Sequence, residues 1–269
     1  VKDCISIFCR VRPLTDQERS KLTNTVDPFS LMKFNDDNTG SLEIMKPLSE
    51  MYTQDPSNVE CMKYQFVFDK VFKPFDSQQS IFSELEESVE KVVEQGFRCT
   101  VLCYGQTGSG KTYTIQGSDD EPGLLQRSVD HLFQLMDCSM FVQVLFVEIY
   151  NEDTRDLLKD VTYKRKACSF NQDELYITAN SKEHVYQLIE KARENRAIAQ
   201  TENNKRSSRS HCVFRFRVVC GDSMTQVGTI NLIDLAGSER LSETMDFITA
   251  DNTNCGESVA DVKKQRKSE

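Results

Sequence analysis

Eight consecutive residues, Gly105-Gln106-Thr107-Gly108-Ser109-Gly110-Lys111-Thr112, fit the pattern G-x-x-x-x-G-K-[ST] at every specified position. In a turn of this spelling the backbone N–H groups cradle phosphate oxygens, the lysine reaches the β- and γ-phosphates, and the final hydroxyl ligates Mg²⁺. A second group, Asp234-Leu235-Ala236-Gly237, follows a hydrophobic run. Its D-x-x-G spacing suits a γ-phosphate sensor, with Asp234 holding the Mg²⁺ shell through water and the Gly237 N–H meeting the γ-phosphate. Four residues alone recur by chance; beside a phosphate loop they gain meaning. Between the two lies Asn204-Lys205-Arg206-Ser207-Ser208-Arg209-Ser210-His211. Its hydroxyls and guanidinium fit a flap over a triphosphate, and they fit a solvated basic loop equally well.

These residues need strands and helices to hold them. Cys99 to Tyr104 reads as a compact strand entering the phosphate loop, and a helix leaves it from Lys111. Ile5 to Arg12 alternates like a strand stopped by Pro13, and Tyr64 to Phe72 reads as another. Asp76 with Gln79 resembles a helix start, and apolar residues from Ile81 to Val93 then share one face until Gly96. A helix through Leu124 to Met136, a buried strand from Met140 to Tyr150 and a long helix capped by Ser181 follow. Strands Cys212 to Val219 and Thr229 to Leu235 complete the pattern. Strands alternating with helices predict an α/β fold, with a central, mainly parallel mixed sheet flanked by helices on both faces.

The chain has 269 residues and a formal charge of -9, which excludes a uniformly basic nucleic-acid binder. No apolar stretch reaches the length of a membrane-spanning helix. The ten cysteines are dispersed and several sit in strand-like runs, so they read as reduced core residues rather than a disulfide scaffold. No zinc spacing occurs, and the three histidines are scattered. Val1 at the start suggests a fragment.

The chain resembles the kinesin motor domain. The resemblance rests on Phe8-Cys9-Arg10-Val11-Arg12-Pro13, Phe66 to Phe72, Tyr104 to Thr114, Val147 to Glu152, Asn204 to His211 and Asn231 to Leu241, all in the expected order. It covers residues 4 to about 243 and implies a phosphate-loop NTPase of kinesin-motor type, with ATP and Mg²⁺ as cofactors and the microtubule as partner. The spelling leans toward the minus-end-directed, C-terminal-motor branch.

The resemblance also implies roles. Arg10, Arg12 and Pro13 line the adenine pocket, while Gly105, Gln106, Thr107, Gly108, Ser109, Gly110, Lys111, Thr112 and the adjoining Tyr113 hold the nucleotide. Asn204, Ser207 and Ser208 form a first switch, with Ser208 joining Thr112 and Asp234 around Mg²⁺. Arg209 pairs with Glu239 when ATP is bound; Glu239 takes the proton of the attacking water, and Gly237 senses the γ-phosphate. Lys164-Arg165-Lys166, in the loop after the Glu-Ile-Tyr-Asn-Glu strand, either faces the acidic microtubule or is simply a solvated surface run.

After Glu243 the kinesin spelling stops. The expected relay helix and a further core strand are not spelled out, so the reading is a motor domain over 1–243, incomplete, with a divergent, disordered tail over 244–269. The missing strand belongs beside the phosphate-loop strand, whose ladder groups would otherwise be uncovered. The leading expectation is an ATP-driven microtubule motor head of the cytoplasm and cytoskeleton, without nucleic-acid or membrane partners and with any coiled-coil partner reached through regions outside this chain. The alternative is a nucleotide-binding adaptor that does not move. A GTP switch is disfavoured because no Asn-Lys-x-Asp motif follows.

Overall fold

The computed structural model describes residues 5–22, 28–34, 40–47, 61–150, 153–159, 164–166, 175–202, 209–221 and 223–239. They fall into two compact units, residues 1–84 and 85–269.

The first unit contains β1 (Phe8–Arg10), α1 (Asp16–Lys21), β2 (Met32–Phe34), β3 (Ser41–Pro47), β4 (Cys61–Val67), β5 (Lys70–Phe72) and α2 (Gln78–Phe82). β2, β3 and β4 form an antiparallel sheet, and β1 pairs in parallel with β5. The single strand expected over Tyr64 to Phe72 is therefore two. At the break the Phe68 N–H donates to Gly40 and the Asp69 N–H to Ile7, so the chain leaves one sheet and joins the other. Helix α1 starts with a capping box in which Thr15 and Glu18 satisfy each other's backbone donors.

The second unit contains α3 (Glu86–Glu94), β6 (Arg98–Cys103), α4 (Lys111–Gln116), α5 (Leu124–Leu135), β7 (Met140–Tyr150), β8 (Asp153–Asp156), β9 (Lys164–Lys166), β10 (Ile177–Ala179), α6 (Lys182–Glu202), β11 (His211–Cys220) and β12 (Thr225–Asp234). Its sheet runs β6-β12-β11-β7-β8-β9, with β10 also paired to β7. The sheet is mixed, but only β6 and β12 pair in parallel within it. The parallel share is smaller than the sequence pattern predicts because β8 follows β7, and β12 follows β11, after too few residues for a crossover, and strands so closely linked pair antiparallel.

The helix expected from Asp76 to Gly96 is also two elements. Ser77, not Asp76, accepts the cap bond from the Ser80 N–H, and the Ser83 hydroxyl bonds back to the Gln79 carbonyl, a competing bond that weakens a helix there. Lys164 to Lys166, expected in a loop, form β9 at the sheet edge opposite β8.

The core of this unit lies where α3, α5 and α6 cover the sheet. Val92, Leu132 and Phe216 are fully buried, and the ring of Phe146 meets Phe214 and Phe216 edge-on at 5.4 and 5.5 Å. Each such side chain contributes roughly 1.5–3 kcal/mol. Among the described residues β6 pairs on one side only, and Leu102 on it is 59% exposed. Cys9, Cys99, Cys103, Cys138, Cys212 and Cys220 are free thiols, and no described helix is long and apolar enough to cross a membrane.

At Gly228 helix α3 touches the sheet backbone: a Cβ there would stand 2.2 Å from the Val92 carbonyl oxygen and 2.9 Å from that of Phe97. Gly228→Ala is expected to cost about 1–3 kcal/mol by forcing α3 off β12. Urea unfolding of the variant beside the parent checks this, and an unchanged midpoint contradicts it.

Candidate nucleotide site

The phosphate loop links β6 to α4, as its chemistry requires. Gly108 (φ 78°) and Gly110 (φ 95°) adopt left-handed backbone that a side chain disfavours, and the Ser109 N–H closes the turn on the Gln106 carbonyl. Lys111 folds over the loop, its Nζ donating to the Gly105 and Gln106 carbonyls at 2.9 and 2.8 Å. Tyr113 is turned aside, its hydroxyl bonding Glu121 at 2.5 Å.

The sensor strand lies directly alongside. In the parallel ladder Cys103 faces Asp234; beyond it Leu235 N–H donates to Cys103 and Ser238 N–H to Gly105. This register brings Thr112 and Asp234 together across 122 residues of sequence, and the Thr112 hydroxyl donates to Asp234 Oδ2 at 2.7 Å. Arg196, buried near the end of α6, donates to the same oxygen at 3.2 Å. Asp234 Oδ1 is buried with no hydrogen-bond partner. An uncompensated carboxylate oxygen beside a threonine hydroxyl is a donor set that fits Mg²⁺, a hard cation that keeps part of its water shell. Thr112 and Asp234 are the described residues that would hold it, with the cation neutralising phosphate charge when bound.

The segment that follows β12 is anchored at two further points. The Ala236 N–H donates to His211 Nδ1 at 3.1 Å, tying it to the start of β11. The Glu239 carboxylate accepts from the Thr107 N–H at 2.9 Å and from the Thr107 hydroxyl. The Thr107 hydroxyl, and then the backbone bonds and the charge of Lys111, hold the Glu239 carboxyl below the usual carboxylate range. Arg209 is exposed and makes no ion pair with Glu239 in this conformation. In the first unit Arg12 is held by Glu18 through two bonds, at 2.7 and 2.6 Å, and Arg10 donates to Gln78 at 2.9 Å. Asn204, Ser207 and Ser208, and the side chains of Lys164, Arg165 and Lys166, lie outside the described residues.

Arg196 is not expected here from the sequence, and His211, which ends the Asn204 to His211 stretch, has no role assigned in it. Arg196 had a signal: Val185, Ile189 and Ala192 mark the buried stripe of α6, and the next position on it is this arginine. A charge on an apolar stripe needs a buried partner. His211 carried none, because its bond is to backbone.

Strand, glycine loop, lysine-headed helix and adjacent aspartate define a phosphate-loop nucleotide-binding domain. Residues 10–260 match the kinesin motor domain, and the chain belongs to that family. The match runs past Glu243, where the recognisable spelling stops. Carboxy-terminal kinesin 2 of Xenopus laevis is 35% identical over 91% of this chain and 40% of its own length. Kinesin-like protein KIN-14N of Oryza sativa subsp. japonica is 31% identical over 91% of this chain and 33% of its length. Klp61F of Drosophila melanogaster is 32% identical over 89% and 24%. This chain thus spans less than half the length of these relatives. A solved structure of a fast kinesin superposes with a TM-score of 0.69 at 26% identity, covering 89% of this chain and 67% of that one. Members of the family are generally ATPases.

Thr107→Val removes the hydroxyl that favours ionised Glu239, so the Glu239 carboxyl is expected to titrate at a higher pH than in the parent. Carbon-13 NMR of the glutamate carboxyl through an acid titration checks the direction.

Proposed function

We propose that this chain is the catalytic part of a microtubule motor, binding and hydrolysing Mg·ATP and coupling that cycle to filament attachment and movement in the cytoplasmic cytoskeleton. The observation that carries the reading is the Thr112–Asp234 bond, which joins phosphate loop and sensor strand around an uncompensated buried oxygen.

The chain's own residues divide the work. Lys111, now on loop carbonyls, swings onto the β- and γ-phosphates, and the loop N–H groups bind the remaining oxygens. Gly237 reports the γ-phosphate through its N–H. Arg10, Arg12 and Pro13 receive the adenine, which requires Arg12 to loosen from Glu18. Asn204, Ser207 and Ser208 orient the attacking water, and Ser208 joins Thr112 and Asp234 at the metal. Closure exchanges the Thr107 contacts of Glu239 for Arg209, leaving Glu239 free to accept the water's proton through a second water. Positioning and charge account for most of the rate in phosphoryl transfer, so an ion pair that forms only on closure is a suitable gate. The basic strand β9 is the proposed contact with acidic tubulin.

Lys111→Ala is expected to abolish binding of a fluorescent ATP analogue. Glu239→Ala keeps ATP bound while turnover falls by about a hundredfold or more; equal turnover in variant and parent overturns its role. Phosphate release measured with and without microtubules tests the whole reading. Stimulation supports a motor, whereas nucleotide binding with flat, negligible turnover supports a non-motile adaptor. Replacing Lys164, Arg165 and Lys166 by glutamate is expected to weaken microtubule co-sedimentation at low salt, and undiminished binding excludes β9 as the contact.

A further inference from the structure

One anion of the chain itself already lies on the phosphate loop. The Glu239 carboxylate accepts from the Thr107 N–H at 2.9 Å and from the Thr107 hydroxyl, a contact between residues 132 positions apart. It lies against Gly237 as well: a Cβ added to Gly237 would stand 2.6 Å from Thr107 Oγ1 and closer still to both carboxylate oxygens. The Ser238 N–H bonds the Gly105 carbonyl at 3.1 Å, which ties the short segment carrying the glutamate to the start of the loop. Thr107 is exposed and Glu239 half-buried, so the contact is open to the solvent from which a ligand arrives.

A backbone N–H has one proton to give. In a phosphate loop that proton serves phosphate oxygens, and here a side-chain carboxylate takes it. Thr107 faces Gly237, the residue read above as the reporter of the γ-phosphate, whereas Thr112 at the other end of the loop faces Asp234. A carboxylate and a terminal phosphate are both negative, so on one donor they repel each other as well as compete. A diphosphate is one phosphate shorter and does not reach this end of the loop.

We propose that Thr107 is a positioning residue for Glu239: it stores the carboxylate on the loop in the place of the terminal phosphate, so that Glu239 competes with a nucleoside triphosphate and not with a diphosphate. The inference rests on the reading of Gly105 to Thr112 as the nucleotide site and adds to it a source of selectivity between two nucleotides. A triphosphate has to displace Glu239, and that displacement puts the carboxylate where its proposed role as base needs it. With a diphosphate bound, Glu239 stays on Thr107 and out of reach of the chemistry.

The test compares the dissociation constants of mant-labelled ADP and of the matching non-hydrolysable β,γ-imido triphosphate, both with MgCl₂, and records thermal unfolding of each variant. Thr107→Val, which removes the hydroxyl and keeps the charge, is expected to tighten the triphosphate about three- to tenfold and to leave ADP within about twofold of the parent. Thr107→Ser keeps the hydroxyl and returns the parent values. Made in a Glu239→Ala background, Thr107→Val is expected to change neither constant, because the residue through which Thr107 acts is gone. Both comparisons are between proteins of equal charge, so a general field effect cannot produce the difference. Weaker triphosphate binding by Thr107→Val overturns the proposal, since it means that the hydroxyl meets the phosphate directly. Equal shifts for the two nucleotides, an unchanged triphosphate constant, or an effect that persists without Glu239 overturn it too. Should Thr107→Val not fold, Thr107→Ala carries the same comparisons. A parent that binds neither nucleotide removes the nucleotide reading together with the proposal, whereas a parent that binds both and is matched by Thr107→Val removes only the proposal.

Discussion

The carboxylate of Asp234 is the constraint on which the rest of the nucleotide site depends. It is buried, charged and shared between the Thr112 hydroxyl and the Arg196 guanidinium. Hydrogen bonds to a charged group are each worth roughly 1.5–3 kcal/mol, and an unpaired buried carboxylate costs at least as much. The phosphate loop therefore cannot drift from the sensor strand without exposing Asp234 to that penalty. The parallel ladder between β6 and β12 sets the register that makes the contact, and the bonds from Leu235 and Ser238 extend it past the end of the sheet. Loop and sensor strand are joined by backbone and side-chain bonds along their whole shared edge.

Three charged groups named in the proposed function are held by partners within the chain. Lys111 is turned onto loop carbonyls, Glu239 onto Thr107, and Arg12 onto Glu18. Each makes good internal bonds, so under the proposed function a ligand at any of them exchanges one satisfied arrangement for another. Net binding strength is then a difference between two satisfied arrangements.

Much of this was legible in the chain because the chemistry is local. Gly105 to Thr112 needs only its own glycines and the adjoining strand and helix to form a cradle, and the sequence spells all three. The elements around it were legible where apolar spacing was long and regular, as in Leu124 to Leu135 and Met140 to Tyr150. Periodicity failed where a side chain intervened, as at Ser83, or where the chain changed sheets, as at Phe68 and Asp69. Strand direction was misjudged because apolar runs report burial, not the sense of pairing. Hardest to see was the row that Glu148, Cys212 and Asp234 form across β7, β11 and β12. Its members lie far apart in the chain and meet only through register, although Glu148 carries a hint: it follows Val142, Val144 and Phe146 in alternation and so points where a charge does not belong.

Among the described residues β6 meets a partner strand only in β12. The strand that carries the phosphate loop therefore takes its register from the one neighbour that also carries Asp234. Any shift of β12 along its own axis moves the cradle and the aspartate together, because Thr112 to Asp234, Ser238 to Gly105 and Thr107 to Glu239 all bridge the same two segments.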